Sequence, residues 1–300
     1  MRRSDDAGFQ STNFLWRSHR AGLIDDRALA SKQPLRGLPE TRSIGSGASR
    51  SDEEMLIALM SDIHANREAF SACLAHAAGY RVDRYVFLGD YVGYGADPGW
   101  AVDMVRDHVE RGAVAILGNH DEAISATDVN MNEIALAAIE WTRDQLEARQ
   151  REFLARLPLT VEEQDRLYVH ASAWAPGSWH YVTDAYEARQ SLEATARRVT
   201  FCGHVHVPEV YHLSAKAKLG AFTPVPGADI PLLKGCRWLA VIGAVGQPRD
   251  GVPAACYALL DEESDTLTYV RVPYDIDRAA AKIRAAGLPP ILASRLELGY

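Results

Sequence analysis

Cysteine is scarce in this chain. Four occur among 300 residues, Cys73, Cys202, Cys236 and Cys256, at irregular spacings and with no C-x-x-C pair. That argues against a disulfide framework and for reduced thiols in a cytosolic protein. No apolar run approaches the length of a membrane span. The arginines near the N-terminus are not followed by the apolar stretch a secretory signal needs. The expected location is therefore cytoplasmic, with no membrane partner. Positive charge is also short: 32 Lys and Arg against 40 Asp and Glu leave a formal net charge of −8. Coating nucleic acid requires clustered cations, so bulk nucleic-acid binding is not expected. A small phosphorylated substrate remains open, because bound cations would reverse the local potential. There is no internal repeat, and nothing in the sequence sets an oligomeric state.

What is present is a hydrophobic content of 47%, enough for a substantial core. Residues 1–54 differ from the rest. They are rich in Arg, Ser, Asp and Gly, lack sustained periodicity and end in a Gly- and Ser-rich stretch, so disorder is expected there and Met55 is a candidate natural start. Residues 55–300 read as one domain closed by a C-terminal helix. Leu56–Met60, Tyr85–Leu88 and Val114–Leu117 are short continuous apolar runs, as in strands buried on both faces. Between them lie helical stretches, one capped by Asn66 and running to about Ala78, the next over about Pro98–Glu110. A longer helix is expected from Asn132 to about Leu157. The second half is strand-rich, with candidates at Leu167–His170, Val199–Cys202, Val210–Leu213, Trp238–Ile242, Ala255–Leu260 and Thr266–Val272. Asp184 and Glu187 suggest a capping box for a helix ending near Arg198, and a final helix spans about Ile276–Ala286 before Gly287. This strand–helix alternation predicts an α/β fold with ligands at the carboxyl ends of its strands.

Those ends carry the chemistry. Asp62-Ile63-His64, Gly89-Asp90, Gly118-Asn119-His120-Asp121, His170 and Gly203-His204-Val205-His206 follow one another along the chain, each just after a strand-like run. Singly, each has an ordinary reading: a polar loop, a turn, a helix cap. Together they place five of the ten histidines at strand ends in one consistent order. Asp62 and His64, at i and i+2, can reach one ion. Asp90 has two oxygens and can bridge two. Asn119 offers a carbonyl oxygen and His170 an imidazole, while His204 and His206 can serve one metal each. Carboxylate, imidazole and carboxamide are the donors that two divalent cations want. Such a pair, about 3.5–4 Å apart, would acidify a bridging water whose hydroxide attacks phosphorus. His120 remains as a general acid, with Asp121 as a candidate orienting carboxylate.

The five motifs resemble those of the calcineurin-like metallophosphoesterases, D-x-H, G-D, G-N-H-[DE], a lone His and G-H-x-H, over roughly residues 55–272. The resemblance implies a four-layer α/β/β/α sandwich of two mixed sheets flanked by helices. It implies that Asp62, His64, Asp90 and His206 hold one metal, that Asp90, Asn119, His170 and His204 hold the other, and that His120 is the general acid. The cations would be manganese first, with Fe, Zn, Ni or Mg as alternatives. Within the superfamily, Gly89-Asp90-Tyr91-Val92-Gly93-Tyr94-Gly95 lacks the Asp and Arg that serine/threonine protein phosphatases carry here. With Gly243-Ala244-Val245-Gly246-Gln247-Pro248-Arg249-Asp250 it is more similar to a bacterial and archaeal phosphodiesterase-like branch. Position 244 lacks the serine of many such relatives.

Three further residues are candidates for substrate contact. Arg249 can grip phosphate bidentately or pair with Asp250. Trp174 and Trp179 lie in an aromatic loop that either stacks a nucleobase or aryl leaving group or packs against the sheet. Asn66 reads first as a helix cap and second as a contact to the metal site. The expected function is hydrolysis of phosphodiester or nucleotide-type esters of a small substrate. The alternatives are a dinucleoside polyphosphate hydrolase and a non-catalytic scaffold on the same fold, in which the ligand set would have degenerated.

Overall fold

The computed structural model describes residues 55–126 and 131–300; residues 1–54, on which the expectation of disorder falls, lie outside the described residues. Two six-stranded mixed sheets form the frame. The first contains β1 (Leu56–Met60), β2 (Arg84–Phe87), β3 (Val114–Ala115), β9 (Asp229–Pro231), β11 (Ala255–Asp261) and β12 (Thr266–Val272), in the order β3-β2-β1-β11-β12-β9. The second contains β4 (Thr160–Glu163), β5 (Arg166–Val169), β6 (Val199–Cys202), β7 (Glu209–Ser214), β8 (Leu219–Phe222) and β10 (Cys236–Val241), in the order β4-β5-β6-β10-β7-β8. In the first sheet β1, β2 and β3 are parallel and β11 runs against β1. In the second, β5, β6 and β10 are parallel.

The period-two alternation of a strand assigns the layers. In β1, Ile57 and Leu59 join Val86, Leu88, Phe201, Trp238 and Ala240 in a core between the sheets. Leu56, Ala58 and Met60 face the other way, onto helices α1 (Arg67–Gly79) and α2 (Pro98–Val109). The opposite outer face, with Val169, Cys202, Leu239 and Val241, is covered by α6 (Ala185–Glu193). The result is helices, sheet, sheet, helix: the expected sandwich.

Several elements differ from the sequence reading. The helix expected over Asn132–Leu157 is two, α4 (Glu133–Gln145) and α5 (Ala148–Ala155), because Leu146 turns extended and buries its side chain. Gln150 on α5 is held by the Gly99 carbonyl and the Asp103 carboxylate of α2, which fixes the second direction. The edge strands β4, β8 and β9 carry too little apolar periodicity to be read. Helix α6 stops five residues short of Arg198. The chain closes with two helices, α7 (Ile276–Ala285) and α8 (Pro290–Leu298), the second opened by a proline at its first position. They pack against Ala135 and Ala138 of α4 and against Tyr94. Among the described residues no helix is long and apolar enough to cross a membrane.

The two sheets are stitched below their carboxyl ends. The loop after β10 crosses over: Val245 N donates to Ser61 O at 2.9 Å and Gly246 N to Asp62 O at 2.8 Å, while Cys256 N on β11 donates to Ala244 O at 2.8 Å. Tyr269 on β12 donates its hydroxyl to Val241 O at 2.9 Å across the inter-sheet core.

Candidate metal centre

The loops that follow β1, β2, β3, β5 and β6 converge on one buried cluster. The loop after β1 extends its pairing with the loop after β2: Asp62 N, His64 N and Ala65 N donate to the carbonyls of Gly89, Asp90 and Tyr91 at 3.1, 2.9 and 2.8 Å. Asp62, His64, Ala65, Asp90, Tyr94, His204 and His206 all have positive φ, between +47° and +66°. Non-glycine residues rarely adopt this region, and a concentration of them is typical of sites where geometry outranks backbone comfort. Here the left-handed bends turn side chains from two sheets inward. Close backbone approach does the rest. At Gly118 a β-carbon would collide with the Asp90 amide and carboxylate, and at Gly203 with the side chains of Ser61 and Asp62.

Two donor groups result, Asp62, His64, Asp90 and His206 in one, Asp90, His170 and His204 in the other, sharing Asp90. All are buried. The imidazoles are oriented from behind: His64, His170 and His206 each place Nδ1 on a backbone carbonyl, of Val92 (3.0 Å), Leu88 (2.7 Å) and Gln247 (2.7 Å). A carbonyl only accepts, so each Nδ1 carries a proton, and the neutral rings of His64 and His206 present an Nε2 lone pair inward. His64 Nε2 and His206 Nε2 then face each other at 3.0 Å. His206 Nε2 is 3.2 Å and His64 Nε2 3.9 Å from Asp62 Oδ1. Opposed lone pairs beside a carboxylate are repulsive unless a cation lies among them, so the donors fit a metal ion. His204 is reversed. Its Nε2 sits 3.0 Å from the Trp179 carbonyl, which leaves Nδ1 as the inward donor.

Asp90 is divided between two tasks. Its Oδ1 accepts from His120 N at 2.9 Å. Its Oδ2 is 3.6 Å from His64 Nε2 and 3.3 Å from His170 Nε2, so a single oxygen faces both groups. Asn119, first residue of the short helix α3 (Asn119–Ala123), brings Oδ1 within 3.2 Å of His170 Nε2. The second cluster of acid and imidazoles thus gains a carboxamide.

Electrostatics follow from burial and from this crowding. Burial would raise Asp62, but the imidazoles of His206 and His170 outweigh it and hold its carboxyl below the usual range. Burial, then the neighbouring imidazoles of His206 and His120, keep His64 well below its ordinary value. His204 falls to about 3, through burial and His170. His170 is the exception: burial opposes its charge, yet Asp90 lifts it to about 9. His120 drops to about 4, chiefly by burial.

His120 is packed edge-on between the rings of Tyr94 (4.5 Å) and His64 (4.8 Å), and its Nδ1 is buried against Gly93 without a hydrogen-bond partner among the described residues. The expectation that Asp121 orients it does not hold. Asp121 accepts from Asp90 N at 2.7 Å, Tyr91 N at 2.9 Å and Gly118 N at 3.0 Å, so it shapes the loops that carry Asp90 and Asn119. Adjacent residues on a helix point about 100° apart, which sends the carboxylate away from the imidazole.

Arg249 does not pair with Asp250, whose carboxylate is bound by Arg271. Its guanidinium lies 5.7 Å from the Tyr94 ring centroid and donates to Gln247 Oε1 at 3.0 Å. Asn66 caps α1 through Ala69 N at 3.1 Å and also donates to Gly246 O at 2.8 Å, tying that cap to the cross-sheet loop. Trp179 lies against the centre, its ring edge-on to His170 at 5.8 Å. Trp174 does not: it is 42% exposed and packs on His180. Sequence reasoning passed over Tyr94 and Tyr181, the latter stacked on His204 at 4.1 Å; only their nearness to the motifs could have marked them.

Known proteins share this architecture. The family model described as the calcineurin-like phosphoesterase superfamily domain matches residues 55–265. An uncharacterised protein of the archaeon Methanocaldococcus jannaschii is 33% identical over 255 residues, covering 81% of this chain and 98% of that protein. The crystal structure of a metallophosphoesterase from Sphaerobacter thermophilus superposes with a TM-score of 0.74 at 36% identity, covering 82% of this chain and 100% of that one. A hypothetical protein from Pyrococcus horikoshii shares the fold at 17% identity, with a TM-score of 0.68 and coverage of 82% and 98%.

Proposed function

Because the chain belongs to the calcineurin-like phosphoesterase superfamily, we propose that it hydrolyses phosphodiester or nucleotide-type phosphate esters, using two divalent cations. Asp62, His64, Asp90 and His206 would hold one, and Asp90, Asn119, His170 and His204 the other, with manganese the first choice. When bound, such ions acidify water and draw electron density from phosphoryl oxygens. The observation that carries the reading is the confrontation of His64 Nε2 and His206 Nε2 at 3.0 Å, with both Nδ1 atoms committed to carbonyls. A scaffold that had lost catalysis would have no reason to keep that unfavourable arrangement.

The chain's own groups supply the rest. Asp90 Oδ1, anchored by the His120 amide, keeps Oδ2 aimed between the two donor groups. Arg249, free of any carboxylate partner among the described residues, would bind a non-bridging phosphoryl oxygen. His120 is held neutral by burial. With no acceptor beside Nδ1 among the described residues, its proton belongs on Nε2, from which a neutral imidazole would hydrogen-bond to the departing oxygen and stabilise its developing charge, the proton that oxygen takes up coming from water. Gly93 occupies the place where protein phosphatases carry their histidine-orienting carboxylate. There φ is +81° and a β-carbon would overlap the His120 ring, so the position has no room for one, which favours small esters over phosphoproteins.

The test is hydrolysis of bis(p-nitrophenyl) phosphate by protein stripped with chelator and reloaded with Mn2+, Fe2+, Zn2+, Ni2+ or Mg2+. Activity should vanish on stripping and return with metal. Asn119→Ala and His120→Ala should each cost about 10²-fold or more in kcat. Wild-type rates in either variant would contradict the roles assigned to Asn119 and His120.

A further inference from the structure

Beside the metal centre, on the side of His120 and His204, opens a cavity of about 330 Å³. Its walls come from two stretches of chain, around α3 and the start of α4, and around Trp179 and Tyr181. Among the described residues no lysine or arginine lines it. None occurs in the sequence between positions 119 and 142 or between 167 and 188; the next cation along, Arg143, is held behind the wall by the carbonyls of Ala123 and Ala126. Among the described lining residues Glu122 is the one carboxylate, and Arg249 is not one of them.

The aromatic wall is fixed in place. Trp179 Nε1 donates to Glu122 Oε2 at 2.8 Å, and the Trp179 carbonyl meets His204 Nε2 at 3.0 Å. Its backbone is left-handed, φ +54°, which a tryptophan adopts only when its surroundings impose it. Tyr181 is 49% exposed although its ring is stacked on His204, so one face is held and the other left open. Met131 and Ala135 continue the apolar surface opposite.

We infer that this cavity receives the leaving group, and that it selects phosphoesters whose alcohol arm is aromatic or apolar and carries no further phosphate or carboxylate. The inference rests on the phosphoesterase reading of the adjoining centre. An anionic arm would enter a partly desolvated space facing Glu122, with no lysine or arginine among the described lining residues and the attraction of bound cations coming only from the His204 side, and specificity of this kind comes from the repulsive contact as much as from the attractive one. A dinucleoside polyphosphate, with several phosphates beyond the scissile one, fits poorly.

The experiment uses the full chain loaded with Mn2+ and three phenyl phosphodiesters whose departing phenol bears a para acetyl, trimethylammonium or carboxylate group. Each kcat/KM is divided by the rate of hydroxide hydrolysis of the same ester, so that leaving ability cancels. The neutral and cationic arms should agree within about fivefold and the carboxylate arm should fall about tenfold or more below them. Glu122→Gln, which keeps an acceptor for Trp179, should shrink that gap to a few-fold. Equal rates for all three arms, or a gap that Glu122→Gln leaves unchanged, would overturn the inference while leaving the hydrolytic reading intact. Absence of turnover with every ester would overturn the hydrolytic reading instead. Binding of the free phenols, read by quenching of tryptophan fluorescence, should follow the same order and does not depend on turnover; the carboxylate binding as tightly as the neutral phenol would sink the proposal.

Discussion

Replacing Gly93 with alanine adds one methyl at the tightest point behind His120. Gly93 has φ +81°, and a β-carbon there would overlap His120 Nδ1 and lie 3.2 Å from its Cγ and Cε1. Two costs follow. The left-handed conformation costs an alanine about 1–2 kcal/mol, and overpacking adds about 1–3 kcal/mol. His120 is 4% exposed and bounded by the Tyr94 and His64 rings, so it relieves the overlap only by moving toward the metal ligands. A displacement of about 1 Å at a reacting group is enough for about 10²-fold in rate. Gly112→Ala supplies the control: its φ is +95°, yet nothing lies within 4 Å of the added carbon. It should lose about 1 kcal/mol by urea melting and keep its kcat. Gly93→Ala should lose about 2–5 kcal/mol and about 10²-fold in kcat toward bis(p-nitrophenyl) phosphate, at unchanged metal content by mass spectrometry. Wild-type kcat in Gly93→Ala, or an equal loss in Gly112→Ala, would refute the claim that His120 is positioned by the absence of a side chain at 93.

Asp121→Asn replaces an acceptor of four backbone amides with a group that must turn an NH2 toward some of them; about 2–4 kcal/mol of stability should go, with weaker metal retention on a chelating column. Asn66→Ala removes a helix cap and the tie to Gly246, and a denaturant melt should register a loss of about 1–2 kcal/mol. For metal uptake the sign follows from His170. Asp90 lifts its value to about 9 in the metal-free protein. The stability that its charge provides is complete below the ordinary imidazole value near 6.5 and lost as pH rises through about 9. Affinity for a cation should therefore increase over that window, and binding near pH 7.5 should release about one proton, measured calorimetrically in buffers of different ionisation enthalpy. Release of no proton would show that His170 is already neutral.

Much of this was legible because ligands and strands share one grammar: apolar run, then donor. Asp62, Asp90, Asn119, His170 and His204 could be placed at strand ends without coordinates. What escaped depends on contacts between distant segments. Leu146 breaks a helix with no proline or glycine at hand, because α5 is drawn to α2 through Gln150. Strands β8 and β9 exist because β7 and β12 offer edges to them, and their own composition says little. Asp121 was misassigned because neighbours in sequence diverge on a helix, and the role of Gly93 is invisible until His120 stands against it.

The seams between the sheets, at Val245, Gly246 and Tyr269, have a mechanical consequence. Asp62, His64, Asp90 and Asn119 ride on one sheet and His170, His204 and His206 on the other, so slippage between the two by even a fraction of an ångström alters every span across the gap. Compressing the protein, or hollowing the core between its sheets at Ile57 or Trp238, should detune cation affinity well before the molecule melts.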